Sequence, residues 1–256
     1  MSSPLLVIAH RGDSAHRPEN TAAAFASALE AGVTLVELDV QMTADGHVVV
    51  LHDPRVDRTT DGRGDVRAMT LAEVKTLSAG YPARFGDAYA GERVPTLAEA
   101  LGLIHGRARV MIEIKTDSVT DDAEGGVEAR TIAEVRRQRL EDAVALISFD
   151  HRALVRCRDL APGIVRGQLF GRTTADAVLA ASREAGCGIV MPHKSQLHPS
   201  LVGRVRGAGL KLATWVVDDP EELKALARFG LYGVGSNCPG LLLQAIADGL
   251  LEAPVR

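Results

Sequence analysis

The sequence predicts an α/β protein: a (β/α)8 TIM barrel with a small polar insertion over its C-terminal mouth. Three observations predict it. Eight short apolar runs recur along the 256 residues, each followed, directly or after an excursion, by a segment of helical period. Many of those segments open with helix-capping chemistry. No glycine-rich phosphate-binding turn follows the first run, which argues against a doubly wound open sheet. Eight strand–helix units is the count of a closed barrel.

Each element has its own signature. The first strand is Leu5–Ala9, and its helix closes on "ALEAG", with Gly32 as a left-handed cap. Leu35–Val40 is the second strand. "HVVVLHD" follows too closely for a crossover helix, and Asp45-Gly46 predicts a two-residue hairpin turn. Counted outward from that turn, Asp39 faces His52. Residues 54–95 break the repeat: they are polar, rich in Gly and Arg, and hold one capped helix at "TLAEVKTL". The repeat resumes with Thr96 and Glu99 as a capping box, then strand Val110–Ile114. Val144–Ser148 precedes an Asp150 cap, and Val165–Leu169 and Gly188–Met191 follow. Lys211–Val216 precedes Asp219 and Pro220 at a helix start, and Gly233–Ser236 is the last strand. The expectation is one domain over residues 1–256, with the insertion at about 54–95.

Composition narrows the function classes. A net charge of −4 with no basic tract gives no sign of nucleic acid as a partner. No apolar run approaches the roughly 20 residues that cross a bilayer, so no integral membrane association is expected. "MSSPLLVIAHRG" lacks the features of a secretory leader. Cys157, Cys187 and Cys238 are too scattered for a disulfide framework or zinc site. They fit small core fillers in a reducing, cytoplasmic setting. Nothing in the pattern speaks to oligomeric state.

The chemistry collects where barrel strands end. The first strand ends in His10-Arg11-Gly12; the second carries Glu37 and Asp39 on one face, between Val36, Leu38 and Val40. The hairpin strand ends in His52-Asp53. "VMIEIK" puts Glu113 and Lys115 on a common face. Three converging carboxylates repel one another without a cation, and hard oxygen ligands select Mg²⁺ or Ca²⁺. Arg11 and Lys115 add charge suited to a phosphoryl group. His10 and His52 exchange protons near neutral pH. A Glu–Lys layer in a barrel, or acids paired on one strand, can be purely structural; the coincidence of so many such groups at one barrel end favours metal-assisted phosphoryl transfer. Trp215 at a later strand end could pack against a substrate's apolar or glycerol portion. Gln168 and Ser148 are expected in an interior polar layer.

These residues resemble the glycerophosphodiester phosphodiesterases over nearly the whole chain. "HRG", "PENT" (18–21), "ELDVQMTADG", "VVVLHDPRVDRTTDGRG", "PTLAEAL", "IEIK", "SF" at 148–149 and "WVVDDPEEL" run in that family's order. The resemblance implies hydrolysis of glycerophosphodiesters to sn-glycerol 3-phosphate and an alcohol. It implies His10 and His52 as the acid–base pair, Glu37, Asp39 and Glu113 as divalent-metal ligands, and Arg11 and Lys115 as phosphate contacts. Glu19 and Asn20 of "PENT" would support the mouth. The chain departs from the pattern twice: Ser236 and Asn237 stand where Thr and Asp are usual, and Asp218 stands where Asn is usual. Two alternatives accompany this expectation. One is a lysophospholipase D-type lipid phosphodiesterase, which would need an apolar groove. The other is a non-catalytic phosphometabolite-binding barrel, which would be expected to lack a histidine or carboxylate.

Overall fold

The computed structural model describes residues 5–251. The stretch before Leu5, on which part of the leader expectation rests, lies outside the described residues. Nine strands are present among them: β1 (Leu6–His10), β2 (Leu35–Met42), β3 (Val48–Val50), β4 (Arg109–Ile114), β5 (Val144–Ser148), β6 (Val165–Phe170), β7 (Ile189–Pro192), β8 (Lys211–Thr214) and β9 (Gly233–Ser236). Parallel pairing runs β1-β9-β8-β7-β6-β5-β4-β2, and β2 pairs back with β1, so eight strands close into a ring. Only β3 is outside it, antiparallel to β2.

Helices α1 (Ala22–Glu30), α4 (Leu97–Ile104), α5 (Val127–Arg137), α6 (His151–Leu160), α7 (Ala175–Glu184), α8 (Pro199–Gly207), α9 (Pro220–Ala227) and α10 (Pro239–Ala247) alternate with the ring strands; α2 (Leu71–Thr76) and α3 (Pro82–Phe85) belong to the insertion. The caps read from sequence form. Thr96 and Glu99 make a reciprocal capping box, Asp150 accepts from the Arg152 N–H, and Asp219 accepts from the Glu221 N–H ahead of Pro220.

Strand alternation sorts the core. Val36, Leu38, Val40, Ile112, Ile114 and Leu146 face outward under α1, α4 and α5. Ile8, Leu35, Met111, Ile147, Leu169, Ile189, Met191 and Ala213 fill the interior and form an apolar floor. Ile147 and Leu169 point inward, so their neighbours Ser148 and Gln168 take the opposite face. The expectation that those two line an interior polar layer is therefore corrected. Ser148 instead donates to the Ile114 carbonyl, and Gln168 to the Ser148 and Leu169 carbonyls.

The hairpin is also corrected, by one residue. Val40 pairs with Val50 and Met42 with Val48, and the Leu51 N–H donates to the Asp39 carbonyl, so Leu51 rather than His52 lies opposite Asp39. The cause is the turn. Thr43 N–H bonds His47 O and Gly46 N–H bonds Thr43 O, with Gly46 at φ +78°. Asp-Gly thus closes a three-residue loop with glycine in the left-handed position, not a two-residue one.

The insertion shares a small core with the hairpin strand: Val56, Val66, Val74, Ala79 and Val94 pack on Val49 and Leu51. It docks on the loop after β1, where the Arg84 guanidinium donates to the Ser14 and Ala15 carbonyls. Tyr81, Phe85 and Tyr89 pack edge to face, at 6.2 and 5.4 Å between ring centres.

Candidate active site

Register brings the sequence-predicted residues together. β1 pairs His10 with Glu37, and β2 pairs Asp39 with Glu113, so two neighbouring strand pairs set their polar side chains at matching heights. The "HRG" turn then leaves the strand sharply. Arg11 sits at φ +59°, with its N–H bonded to the Glu37 carbonyl and carboxylate, both at 3.0 Å. Gly12 lies at φ +82°, and a Cβ there would meet the Ala24 backbone at 2.6 Å. Only glycine fits that approach.

Glu37, Asp39 and Glu113 offer carboxylate oxygens that lie within 4.8 Å of one another, all buried. Asn20 donates to Asp39 Oδ2 at 2.8 Å, and Lys115 donates to Glu113 Oε1 at 2.6 Å. Arg11 Nε comes to 3.1 Å of Asp39 Oδ2 and Lys115 Nζ to 3.4 Å of Asp39 Oδ1, but neither is aligned as a hydrogen bond. Glu37 Oε1 and Asp39 Oδ1 consequently have no hydrogen-bond partner despite full burial. Buried oxygens left this way are costly unless a cation takes them.

The electrostatics agree. Burial pushes Glu37 well above the usual carboxylate range, and the Asp39 and Glu113 charges add to it. Glu113 is pushed up to about 7 by burial first and the Asp39 charge second. Burial acts the same way on Asp39, but Arg11, Lys115 and His52 outweigh it and hold that carboxyl below its usual range. The cluster attracts positive charge beyond what Arg11 and Lys115 supply. A divalent ion with oxygen preference fits these three residues.

The two histidines flank the cluster in different settings. His10 Nδ1 lies 2.7 Å from Asn237 Oδ1, and burial, then the Arg11 charge, lowers its pKa to about 4. His52 Nδ1 lies 2.5 Å from Asp53 Oδ1, and its pKa is lowered, by burial first and then by Arg11 and Lys115. The carboxylate that holds the His52 ring is thus its own neighbour Asp53, not the acidic cluster. Arg58 clamps Asp53 at 2.6 Å and reaches Glu19 at 2.8 Å, while Glu19 also takes Arg11 at 2.9 Å.

A cavity of about 140 Å³ joins these groups to an apolar wall of Ile147, Phe149, Leu169, Met191 and Trp215. Trp215 Nε1 donates to the Met191 carbonyl, and the indole meets Phe149 edge-on at 5.6 Å. His10, Arg11, Glu37, His52, Glu113, Lys115 and Trp215 line one cavity, and Asp39 closes its acidic side. Sequence reasoning missed roles for Asp53, Arg58, Asp218 and Asn237. Only Asp53, adjacent to His52, carried a local signal. The two departures at 218 and 237 prove to be partners, since Asn237 donates to Asp218 through both its side chain and its backbone N–H.

The model of the glycerophosphoryl diester phosphodiesterase family matches residues 10–241. A glycerophosphodiester phosphodiesterase of Caldanaerobacter subterraneus subsp. tengcongensis is 39% identical over 245 residues, covering 95% of this chain and 98% of the relative. A Bacillus subtilis glycerophosphodiester phosphodiesterase is 33% identical over 253 residues, covering 93% and 85%. Among solved structures, a phosphodiesterase of Oleispira antarctica in complex with the product sn-glycerol-3-phosphate superposes with a TM-score of 0.87 at 31% identity, covering 94% of this chain and 96% of that one.

Proposed function

The chain belongs to the glycerophosphoryl diester phosphodiesterase family, and from that premise we propose that it hydrolyses glycerophosphodiesters to sn-glycerol 3-phosphate and an alcohol, with Mg²⁺ or Ca²⁺ bound. One observation carries this: three buried carboxylates, two of them with an unpartnered oxygen, gather with two histidines and two cations at a single cavity. That the Oleispira antarctica structure is a complex with the product sn-glycerol-3-phosphate supports this substrate class. The reading takes the chain as one (β/α)8 domain. Three free, buried cysteines support a cytoplasmic setting, and among the described residues no helix is long and apolar enough to cross a membrane.

Glu37, Asp39 and Glu113 are the residues that would hold the cation, which when bound supplies positive charge to the phosphoryl oxygens. Arg11 and Lys115 neutralise the remaining charge that develops in displacement. His10 starts neutral at physiological pH, because burial and Arg11 keep its pKa near 4. Its free Nε2 takes the proton from the attacking oxygen, which belongs to water or to the glycerol's own neighbouring hydroxyl. His52 is held at Nδ1 by Asp53, whose carboxylate stabilises the charged ring against the burial that lowers its pKa. It gives the proton to the alkoxide as the phosphorus–oxygen bond breaks. Trp215 and the apolar wall hold the part of the substrate without charge.

Incubating the protein with glycerophosphocholine, with and without EDTA, tests this directly. Glycerol 3-phosphate should appear only with the divalent ion present. Release of phosphocholine, or turnover indifferent to EDTA, would overturn it. Lysophosphatidylcholine as a second substrate separates the lipid phosphodiesterase alternative.

A further inference from the structure

His10 is tied to a polar relay that crosses from the end of β9 to the loop after β8. Its Nδ1 lies 2.7 Å from Asn237 Oδ1. Asn237 Nδ2 in turn lies 2.9 Å from Asp218 Oδ2, and the Asn237 backbone N–H donates to Asp218 Oδ1 at 2.7 Å. Ser236 Oγ donates to that same Asp218 Oδ1 at 2.9 Å. Ser14 Oγ stands 2.8 Å from the His10 carbonyl and 3.0 Å from Asn237 Oδ1, its single proton serving one of them. None of Asp218, Asn237 or Ser14 lines the cavity that holds the proposed chemistry.

From these contacts we propose that Asp218, acting through Asn237, fixes the tautomer and ring orientation of His10, so that Nδ1 keeps its proton and Nε2 presents a bare lone pair to the cavity. The logic is one of donors and acceptors. An ionised Asp218 only accepts, so the Asn237 amide must turn its NH₂ group toward it. Its carbonyl oxygen then faces His10, and a carbonyl oxygen can only accept. The ring must therefore carry its proton on Nδ1. Reversing the amide would set its oxygen against the Asp218 carboxylate and its NH₂ against Nδ1–H, two repulsive contacts at once. Asp218 stays ionised because the donors from Asn237 and Ser236 outweigh its burial. Asp218 and Asn237 are positioning residues: neither reaches the reacting atoms.

The inference rests on His10 being the acid–base group of the proposed reaction. Its test has one arm that needs no activity. Long-range proton–nitrogen spectra of the magnesium-loaded protein at neutral pH report which ring nitrogen is protonated, with the His10 signal assigned by its loss in His10→Gln. The wild type should show the Nδ1–H form. An Nε2–H form in the wild type overturns the proposal, whatever the kinetics. Asp218→Asn leaves the 237 amide free to reverse; it should give mixed tautomers and lower kcat roughly tenfold or more, with KM within about threefold. The double variant Asp218→Asn/Asn237→Asp reinstates an acceptor at 237 and a donor at 218, so the Nδ1–H form and most of kcat should return. A double variant no better than the weaker single one overturns the proposal, as does Asp218→Asn with wild-type kcat and tautomer. Should His10→Gln retain full turnover while the spectra show Nδ1–H, the acid–base reading of His10 fails and the tautomer assignment stands.

Discussion

The two halves of the barrel mouth are built from the same positions, yet they differ in kind. On the half formed by β1, β2, the hairpin and β4, the strand ends present His10, Arg11, Glu37, Asp39, His52, Glu113 and Lys115. On the half formed by β5 to β8, they present Ile147, Phe149, Leu169, Met191 and Trp215. The charged half is strained: Arg11 is in the left-handed region, and two fully buried carboxylate oxygens have no donor. The apolar half carries no such unpartnered charge; it packs on buried Ile147, Leu169 and Met191 and leaves Phe149 exposed at the rim. The difference teaches that this fold concentrates its unfavourable electrostatics in one sector and leaves the facing wall to shape and exclude water.

Substitutions across the mouth should expose that asymmetry. The largest effect belongs to His52→Ala, which removes a proton-exchanging group held by Asp53. Turnover on glycerophosphocholine should fall roughly a hundredfold or more, and near-normal kcat would remove His52 from the acid–base role.

The second effect concerns the price of the carboxylates when no cation is bound. Glu113 has a folded pKa of about 7 against an ordinary 4.5, so the folded state holds its proton more tightly than the unfolded chain does. That stability is fully present below about 4.5 and is lost as pH rises through about 7. Glu37 shifts in the same direction; Asp39 shifts oppositely, with its window below the ordinary aspartate range. In EDTA, the thermal midpoint should therefore drop between mildly acidic and neutral pH. Added Mg²⁺ or Ca²⁺ should raise it most above neutrality, where the ligands are ionised. Glu113→Gln should flatten the drop and weaken the metal response. A wild-type midpoint indifferent to pH and to metal would contradict the whole electrostatic picture.

The smallest effect is expected on the other wall. Phe149→Ala loses one edge-to-face contact with Trp215. It should raise KM by about two- to tenfold with little change in kcat. A collapse of kcat comparable to that of His52→Ala would mean the two halves are not functionally distinct.

Much of this was legible in the chain itself. Period-two alternation placed Glu37 with Asp39, and Glu113 with Lys115, because side-chain direction in a strand follows from local geometry alone. Caps at Thr96, Asp150 and Asp219 marked helix starts for the same local reason. The failures were non-local or depended on fine turn geometry. Asp45-Gly46 announced a hairpin but not its loop length, and one residue of slip moved His52 out of register with Asp39. The polarity of Ser148 and Gln168 points to the interior, but strand parity beside inward-facing Ile147 and Leu169 turns both to the outer face.

What the sequence alone determined was the set of chemical groups and the strand ends that carry them, since both are written in residue identity and short-range period. Tertiary structure alone decided which groups meet: that His10 stands beside Glu37, that Asp39 is level with Glu113, and that Asn237 reaches back across 227 residues to His10. Those pairings depend on parallel register and on closure of the ring between β1 and β9, which are set by the packing of the whole barrel and leave no trace in any short stretch of chain.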